Sequence, residues 1–337
     1  MNTKKLFATI GLIIVASFIG VFTHTTLTSA QAANGSGQGL EIAPPLINLS
    51  ADPGQTVTAQ IQIRDVTNTD LIVTGAINDF VAAGEDGTPK LILEETEKSP
   101  YSIKDWISPL PELTLKSRQI LPITITINVP SSAAPGGYYG VIRFTGTPPE
   151  LKDTGVSLSA SLGTLLLLTV NGTPKENLSI EEFSVNKNGG TGTVFESAPL
   201  QFVERLNNSG NIHEQPTGQA TITDMFGNKV AVVNVNQPPT NILPGSIRKY
   251  DQMLDSKTIG NKILFGRYTA ELKLTYGTDK KIITQSISFW VIPYTLIAIT
   301  IALLIAAFMG LRYAVKRYNR YIRNQVLGIK KTKTPKK

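Results

Sequence analysis

The 337-residue chain has no cysteine, only two histidines and only two tryptophans. Without cysteine there is no disulfide framework, no thiol nucleophile, no Cys-ligated zinc and no lipidated-cysteine anchor. A long exported segment free of disulfides fits a bacterial envelope, and a single-membrane one best. His24 lies in the N-terminal apolar segment, so a processed chain keeps His213 alone. His213 sits in a connection rich in Gly, Asn and Pro, and no Gly-x-Ser-x-Gly elbow surrounds any serine. Both facts argue against a Ser-His-Asp triad. Zinc would have to rely on carboxylates, a poor ligand set for that metal. No metal or cofactor is expected.

Acidic residues are missing from the last 26 positions, which carry ten Lys and Arg after an uncharged apolar run of 22, Trp290–Leu311. A helix rising ~1.5 Å per residue makes that run long enough for a hydrocarbon layer of ~30 Å. The basic tail at 312–337 belongs on the cytoplasmic side by the positive-inside bias. Trp290 and Tyr294 read as interfacial anchors, with Arg312, Lys316, Arg317 and Arg320 on the inner side. Apolar Leu311, Val315, Tyr318, Ile322, Val326 and Ile329 predict a juxtamembrane helix along the lipid surface. At the other end, Lys4 and Lys5, the apolar Leu6–Phe22 and Ala30-Gln31-Ala32 read as a signal peptide at 1–32. The expected topology is a single pass, with the bulk extracellular and the C-terminus cytoplasmic.

The overall charge of +7 misleads. The basic tail and signal segment account for the excess, and the stretch between them carries 20 basic against 25 acidic residues. A mildly acidic exterior excludes nucleic acid as a main partner. Membrane lipid and an envelope protein or peptidoglycan are the partners expected instead.

Between the two apolar segments, period-2 alternation dominates. Val57, Ala59, Ile61 and Ile63 alternate with Thr58, Gln60 and Gln62, and Tyr268, Ala270, Leu272, Leu274 and Tyr276 alternate with polar residues. Leu113–Val129 reads as one alternating segment, and Leu165–Leu168 as a strand buried on both faces. Ala83–Ser99 is a polar excursion, with Glu85-Asp86-Gly87-Thr88 a solvated turn and Glu94, Glu95 and Glu97 a charged face. Asn171-Gly172-Thr173-Pro174 is a boundary. The pattern predicts an all-β chain: two tandem immunoglobulin-like Greek-key sandwiches at 39–172 and 175–289, a transmembrane helix at 290–311 and the basic tail.

Ser50-Ala51-Asp52-Pro53-Gly54-Gln55, Pro135-Gly136-Gly137-Tyr138-Tyr139-Gly140 and Asn208-Ser209-Gly210-Asn211-Ile212-His213 resemble phrases of pilus-chaperone-like immunoglobulin domains. The full order of signal segment, two sandwiches, helix and basic tail is similar to the WxL-interacting surface proteins of Gram-positive bacteria. That resemblance implies a membrane-anchored surface protein whose domains contact peptidoglycan and host or surface proteins.

The function expected is a non-enzymatic membrane-anchored surface adaptor. Strand addition at Pro44–Leu49 or Gly245–Met253 is the expected contact mode. Trp106 and Tyr139 are candidate surface platforms. A structural subunit of a larger membrane complex is the alternative, and a wall-acting hydrolase a weaker one. No Leu-Pro-x-Thr-Gly signal precedes the apolar run.

Overall fold

The computed structural model describes residues 39–94, 97–148, 160–255, 257–260 and 262–326. Expectations for the signal segment, for Glu95 and for the end of the tail lie outside those residues.

The first sandwich comprises β1 (Leu40–Ala43), β2 (Leu46–Ala51), β3 (Thr56–Asp65), β4 (Leu71–Ala83), β5 (Thr88–Ile92), β6 (Leu113–Leu115), β7 (Ile120–Asn128), β8 (Gly136–Thr147) and β9 (Ala160–Val170). One sheet runs β1-β3-β7; the other runs β2-β9-β8-β4-β5, with β6 beside β4. The second sandwich comprises β10 (Leu178–Lys187), β11 (Gly190–Thr191), β12 (Val194–Phe195), β13 (Leu200–Asn208), β14 (Thr217–Asp224), β15 (Lys229–Val235), β16 (Ser246–Leu254), β17 (Gly266–Tyr276) and β18 (Lys281–Val291). Its sheets run β11-β10-β13-β16 and β12-β18-β17-β14-β15. One helix, α1 (Tyr294–Val326), follows. The fold is two tandem immunoglobulin-like sandwiches and a C-terminal helix.

Both sandwiches use one plan. The opening strand pairs antiparallel in one sheet, β1 with β3 and β10 with β13. The chain then changes sheet and pairs parallel with the last strand, β2 with β9 and β12 with β18. Pro44 and Pro45 mark the first change, because proline brings no N–H to a ladder. Alternation places Ala59, Ile61 and Ile63 of β3 in one core and Tyr268, Ala270, Leu272 and Leu274 of β17 in the other. β9 is buried on both faces: Leu166 and Leu168 enter the first core, and Leu167 packs on Tyr139 outside it.

The structure departs from the pattern in three places. Leu113–Val129 is two strands in two sheets, β6 on β4 and β7 on β3. A turn with Arg118 at φ 61° carries the chain between layers, and Gln119 closes it by donating its N–H to Lys116 O at 2.9 Å. The polar excursion contains β5, paired with the end of β4. The apolar run does not begin as helix. β18 continues through Val291, so Trp290 is a strand residue whose N–H donates to Thr193 O at 2.7 Å. The helix starts at Tyr294 and runs unbroken to Val326, with no separate juxtamembrane segment. Its Tyr294–Arg323 stretch is long and apolar enough to cross a membrane, and none of it is buried.

A carboxylate sits in the second core. Glu204 of β13 is 0% exposed, between Phe183 and Tyr250 in the ladders, and neither carboxylate oxygen has a hydrogen-bond partner. Burial, and to a lesser degree Asp251, pushes it up to about 8. The folded chain therefore holds a proton there that the unfolded chain gives up near its ordinary value of 4.5. Stability falls as pH rises from about 4.5 to 8, by up to roughly 5 kcal/mol. Glu204→Gln, neutral at every pH, should match the parent near pH 5 and melt several degrees higher at pH 8.5 in thermal denaturation. A gap that does not change with pH would contradict this account.

Candidate binding cleft between the sandwiches

The two sandwiches are joined through a loop side chain. Gly136 and Gly137 open β8, and Asn211 lies in the β13–β14 connection of the second sandwich. Gly137 donates its N–H to Asn211 O at 2.8 Å, and Asn211 Nδ2 donates to Pro135 O at 2.9 Å. Asn211 Oδ1 accepts the Lys175 N–H at 2.7 Å, and its own N–H donates to Lys175 O at 2.9 Å. One asparagine thus ties β8, the linker and the second sandwich together. Gly136 has φ +153°, and a Cβ there would meet Asn211 O at 2.9 Å, so no larger residue fits.

Beside this joint the outer face of β8 and β9 is apolar. Phe80, Tyr139, Val141 and Leu167 form a buried cluster, covered from the second sandwich by Leu243. Tyr139 is 2% exposed. Its ring stands edge-on to Phe80 and Tyr101, and its hydroxyl meets His213 Nδ1 at 3.3 Å. Burial raises the Tyr139 phenol and lowers the His213 imidazole to about 4, so both are neutral at physiological pH. Tyr139 is therefore part of the inter-sandwich contact, which corrects its reading as an exposed platform. Trp106 is half-buried on a 3-10 turn at Lys104–Trp106, its ring 4.3 Å from that of Tyr138 and packed on the first core.

The β4–β5 turn makes a second contact. Glu85 accepts two hydrogen bonds from the Arg205 guanidinium, one of them from Nε at 2.8 Å, and Glu182 lies 3.7 Å from the same guanidinium. The Lys249 N–H donates to Glu85 O at 2.7 Å. The Arg205 hydrogen bonds hold the Glu85 carboxyl below its ordinary value. The turn expected to be solvated is docked on β13 and β16. It also occupies part of the β16 edge, one of the two edges expected to be free.

Between these contacts lie two openings that share Gln215 and Asn241. One, about 230 Å³, is lined by Leu46, Phe80, Leu165, Leu167 and Leu243, with Arg248 at its side. The other, about 440 Å³, is polar and lined by Asn48, Glu176, His213 and Glu214. Glu214 is buried and its Oε1 has no partner. Burial, with Glu176 nearby, pushes it up to about 7. For Glu176 burial acts upward, but the Thr278 N–H and hydroxyl and the Lys281 ammonium outweigh it and hold the carboxyl below its ordinary value. Among the described residues no three His, Asp or Glu side chains gather as a metal site.

β2 borders both openings. It is the edge strand of its sheet, paired on one side with β9. Leu46 faces the apolar opening and Asn48 the polar one. The sequence identified this edge, but it did not reveal the cleft. Asn211 and Glu85 lie in segments the sequence singled out, but nothing in it paired Asn211 with Gly136-Gly137 or Glu85 with Arg205, and Glu176 and Glu214 had no sequence signal. The expected membrane-anchor residues lie elsewhere: Trp290 is the penultimate residue of β18, Tyr294 starts α1, and Arg312, Lys316, Arg317 and Arg320 are exposed along α1.

No family model matches the sequence, and no curated protein matches it closely enough to count as a relative. Solved structures with a similar fold include the YadV chaperone, with 10% identity, 74% of this chain and 100% of that one covered, and a TM-score of 0.35. The class 5 fimbriae chaperone CfaA follows, with 13% identity, 73% and 98% covered, and a TM-score of 0.36. A PapD-like domain of human CEP192 shares 17% identity over 40% of this chain and 87% of its own, with a TM-score of 0.28. These scores are low, and the fold stands on the sheet order described above.

Because the Glu85 and Arg205 side chains are each about a third exposed, solvent screening keeps their pair weak. A double-mutant cycle with Glu85→Ala and Arg205→Ala should return a small favourable coupling that shrinks at high salt. Zero coupling at low salt would remove the pair from the joint.

Proposed function

We propose that this chain is a non-enzymatic surface adaptor, held in the membrane by α1, which captures another envelope protein at the β2 edge beside the inter-sandwich cleft. The observation that carries the reading is the position of β2. It is an edge strand, and its alternate side chains Leu46 and Asn48 point into two chemically different openings. A partner strand added there gains main-chain hydrogen bonds from the edge and side-chain selectivity from the openings. The apolar opening suits an aliphatic side chain and the polar one a hydrogen-bonding or cationic group. The outward-facing second sandwich and the cytoplasmic tail complete the arrangement.

Leu46→Lys and Asn48→Lys put charge on the edge, the device by which natural sheets block strand addition. Neither side chain is in the core, so stability should stay within about 0.5 kcal/mol. Cross-linking with mass spectrometry on intact cells should show a recurrent envelope partner for the parent and loss of that partner for both variants. An unchanged partner set would sink the β2 assignment.

A second reading, a structural subunit working through its helix, draws support from the length of α1, which extends 15 residues beyond Leu311 within the described chain. Removing Arg312–Lys337 separates the two. Capture at the cell surface should persist if the sandwiches act, and vanish if the helix and tail recruit the complex.

A further inference from the structure

Exposed large apolar residues are scattered singly over the first sandwich, as on most soluble surfaces. On the second sandwich they concentrate at one end. The ladders fix which end. Asp224 at the close of β14 pairs with Tyr268, Gly266 at the start of β17 pairs with Val291, and Leu200 of β13 pairs with Leu254 of β16. The connections beyond those pairs therefore surround the point where β18 hands over to α1. They carry Phe226 at 81% exposure, Ile263 at 74% and Phe265 at 61%, together with exposed Val194, Met225 and Trp290. The contact is direct on one side, where Ile263 and Leu264 share an opening with Pro293 and Leu296 of the helix start. Met225 packs over Gly266, where a Cβ would collide with its methyl.

The junction leaves this end no distance from the helix. Only Ile292 and Pro293 separate β18 from α1. Ile292 donates its N–H to Phe195 O at 2.8 Å, and the Thr295 hydroxyl bonds the Glu196 carboxylate. The first helical turn is thus bonded to the sandwich itself. The uncharged helical segment, Tyr294–Leu311, spans ~27 Å at ~1.5 Å per residue, against a hydrocarbon layer of ~30 Å. It has no spare length for a stalk. Around the same end stand exposed Lys229, Lys257, Lys262 and Arg267, which suit anionic headgroups.

We infer that the helix-proximal loops of the second sandwich, led by Phe226, Ile263 and Phe265, form a collar that inserts into the headgroup region of the bilayer. The inference rests on the reading that α1 spans the membrane. The occupant is lipid because the patch is continuous with the helix that enters it and combines aromatic and aliphatic tips with cations, the composition of interfacial anchors. The collar fixes the sandwich upright on the membrane instead of leaving it to swing on a linker.

The test uses the full chain in nanodiscs of mixed phosphatidylcholine and phosphatidylglycerol. A benzophenone side chain is placed singly at Phe226, at Ile263, at mid-helix Leu304 and at Ile120 of the first sandwich. Lipid adducts at 226 and 263 should exceed those at 120 by about tenfold, as expected for a side chain at interfacial depth. If 304 labels lipid while 226 and 263 stay at the level of 120, or label only protein, the collar is refuted and the spanning helix stands. If 304 fails to label lipid, the spanning reading falls and takes the collar with it.

Discussion

The relation of the two sandwiches to one another is set at the Gly136-Gly137 turn, where Asn211 fills the space that a side chain would need. All the polar groups of that asparagine are engaged, with Pro135, Gly137 and Lys175 as partners. A hydrogen-bonded node of this kind is directional, and the apolar cluster around Tyr139 beside it is not. The cluster supplies burial and the node supplies orientation. Removing either would leave the cleft without a defined shape, since its walls come from different sandwiches: Leu46, Phe80 and Leu167 on one side, Leu243 and Arg248 on the other. The Glu85–Arg205 contact acts as a third point on the far side of the same interface. Three points of contact fix a rigid body where one would leave a hinge.

The repeated topology shows where the two sandwiches have diverged. In each, a short strand pairs parallel with the last strand and forms a sheet edge. In the first sandwich this strand is six residues long and borders the cleft. In the second it is two residues long, and Phe195 at its end accepts the N–H of Ile292 at the entry to the helix. The same structural position is a free edge in one copy and adjoins the start of α1 in the other. An exposed edge is a liability in a secreted protein unless it is short, covered or used. The second copy is only two residues long, and the length retained by the first is the argument for its use.

Much of the fold was legible because each core strand obeys a period of two and each turn carries Gly, Asn or Pro. β3, β17 and the doubly buried β9 could be read from side-chain order alone. What failed was information that alternation does not encode. Leu113–Val129 keeps its period while changing sheets, since a four-residue turn preserves the parity of its apolar positions. Trp290 and Val291 share their apolar character with the helix, so composition could not show that they close a β ladder. The Glu85 turn has the sequence of a solvent loop, and its partner Arg205 lies 120 residues away. The candidate site suffered most for this reason. The cleft is made by tertiary contact between two units, and only its edge strand had a local signature.

The acidic groups explain how such a joint tolerates buried charge. Glu176 stays ionised because Lys281 and the Thr278 donors surround it. Glu214, a few residues from the Asn211 node, has burial and Glu176 acting against its charge, and it holds its proton to about 7. His213 next to it is neutral for the same reason of burial. Charge in the joint is thus confined to paired sites, Glu176–Lys281 in the polar opening and Glu85–Arg205 at the rim, while Tyr139 and His213 stay neutral. Desolvation penalties are small under that arrangement, and long-range screening touches only the rim. Strands of the second sandwich run up to 11 residues at ~3.3 Å each from the helix end to this joint. The joint and the β2 edge therefore lie roughly 35 Å from the start of α1. On the adaptor reading proposed above, a partner strand at that edge would meet walls already in place, with Arg248 beside the apolar opening and ionised Glu176 in the polar one adding charge to shape and hydrogen bonding.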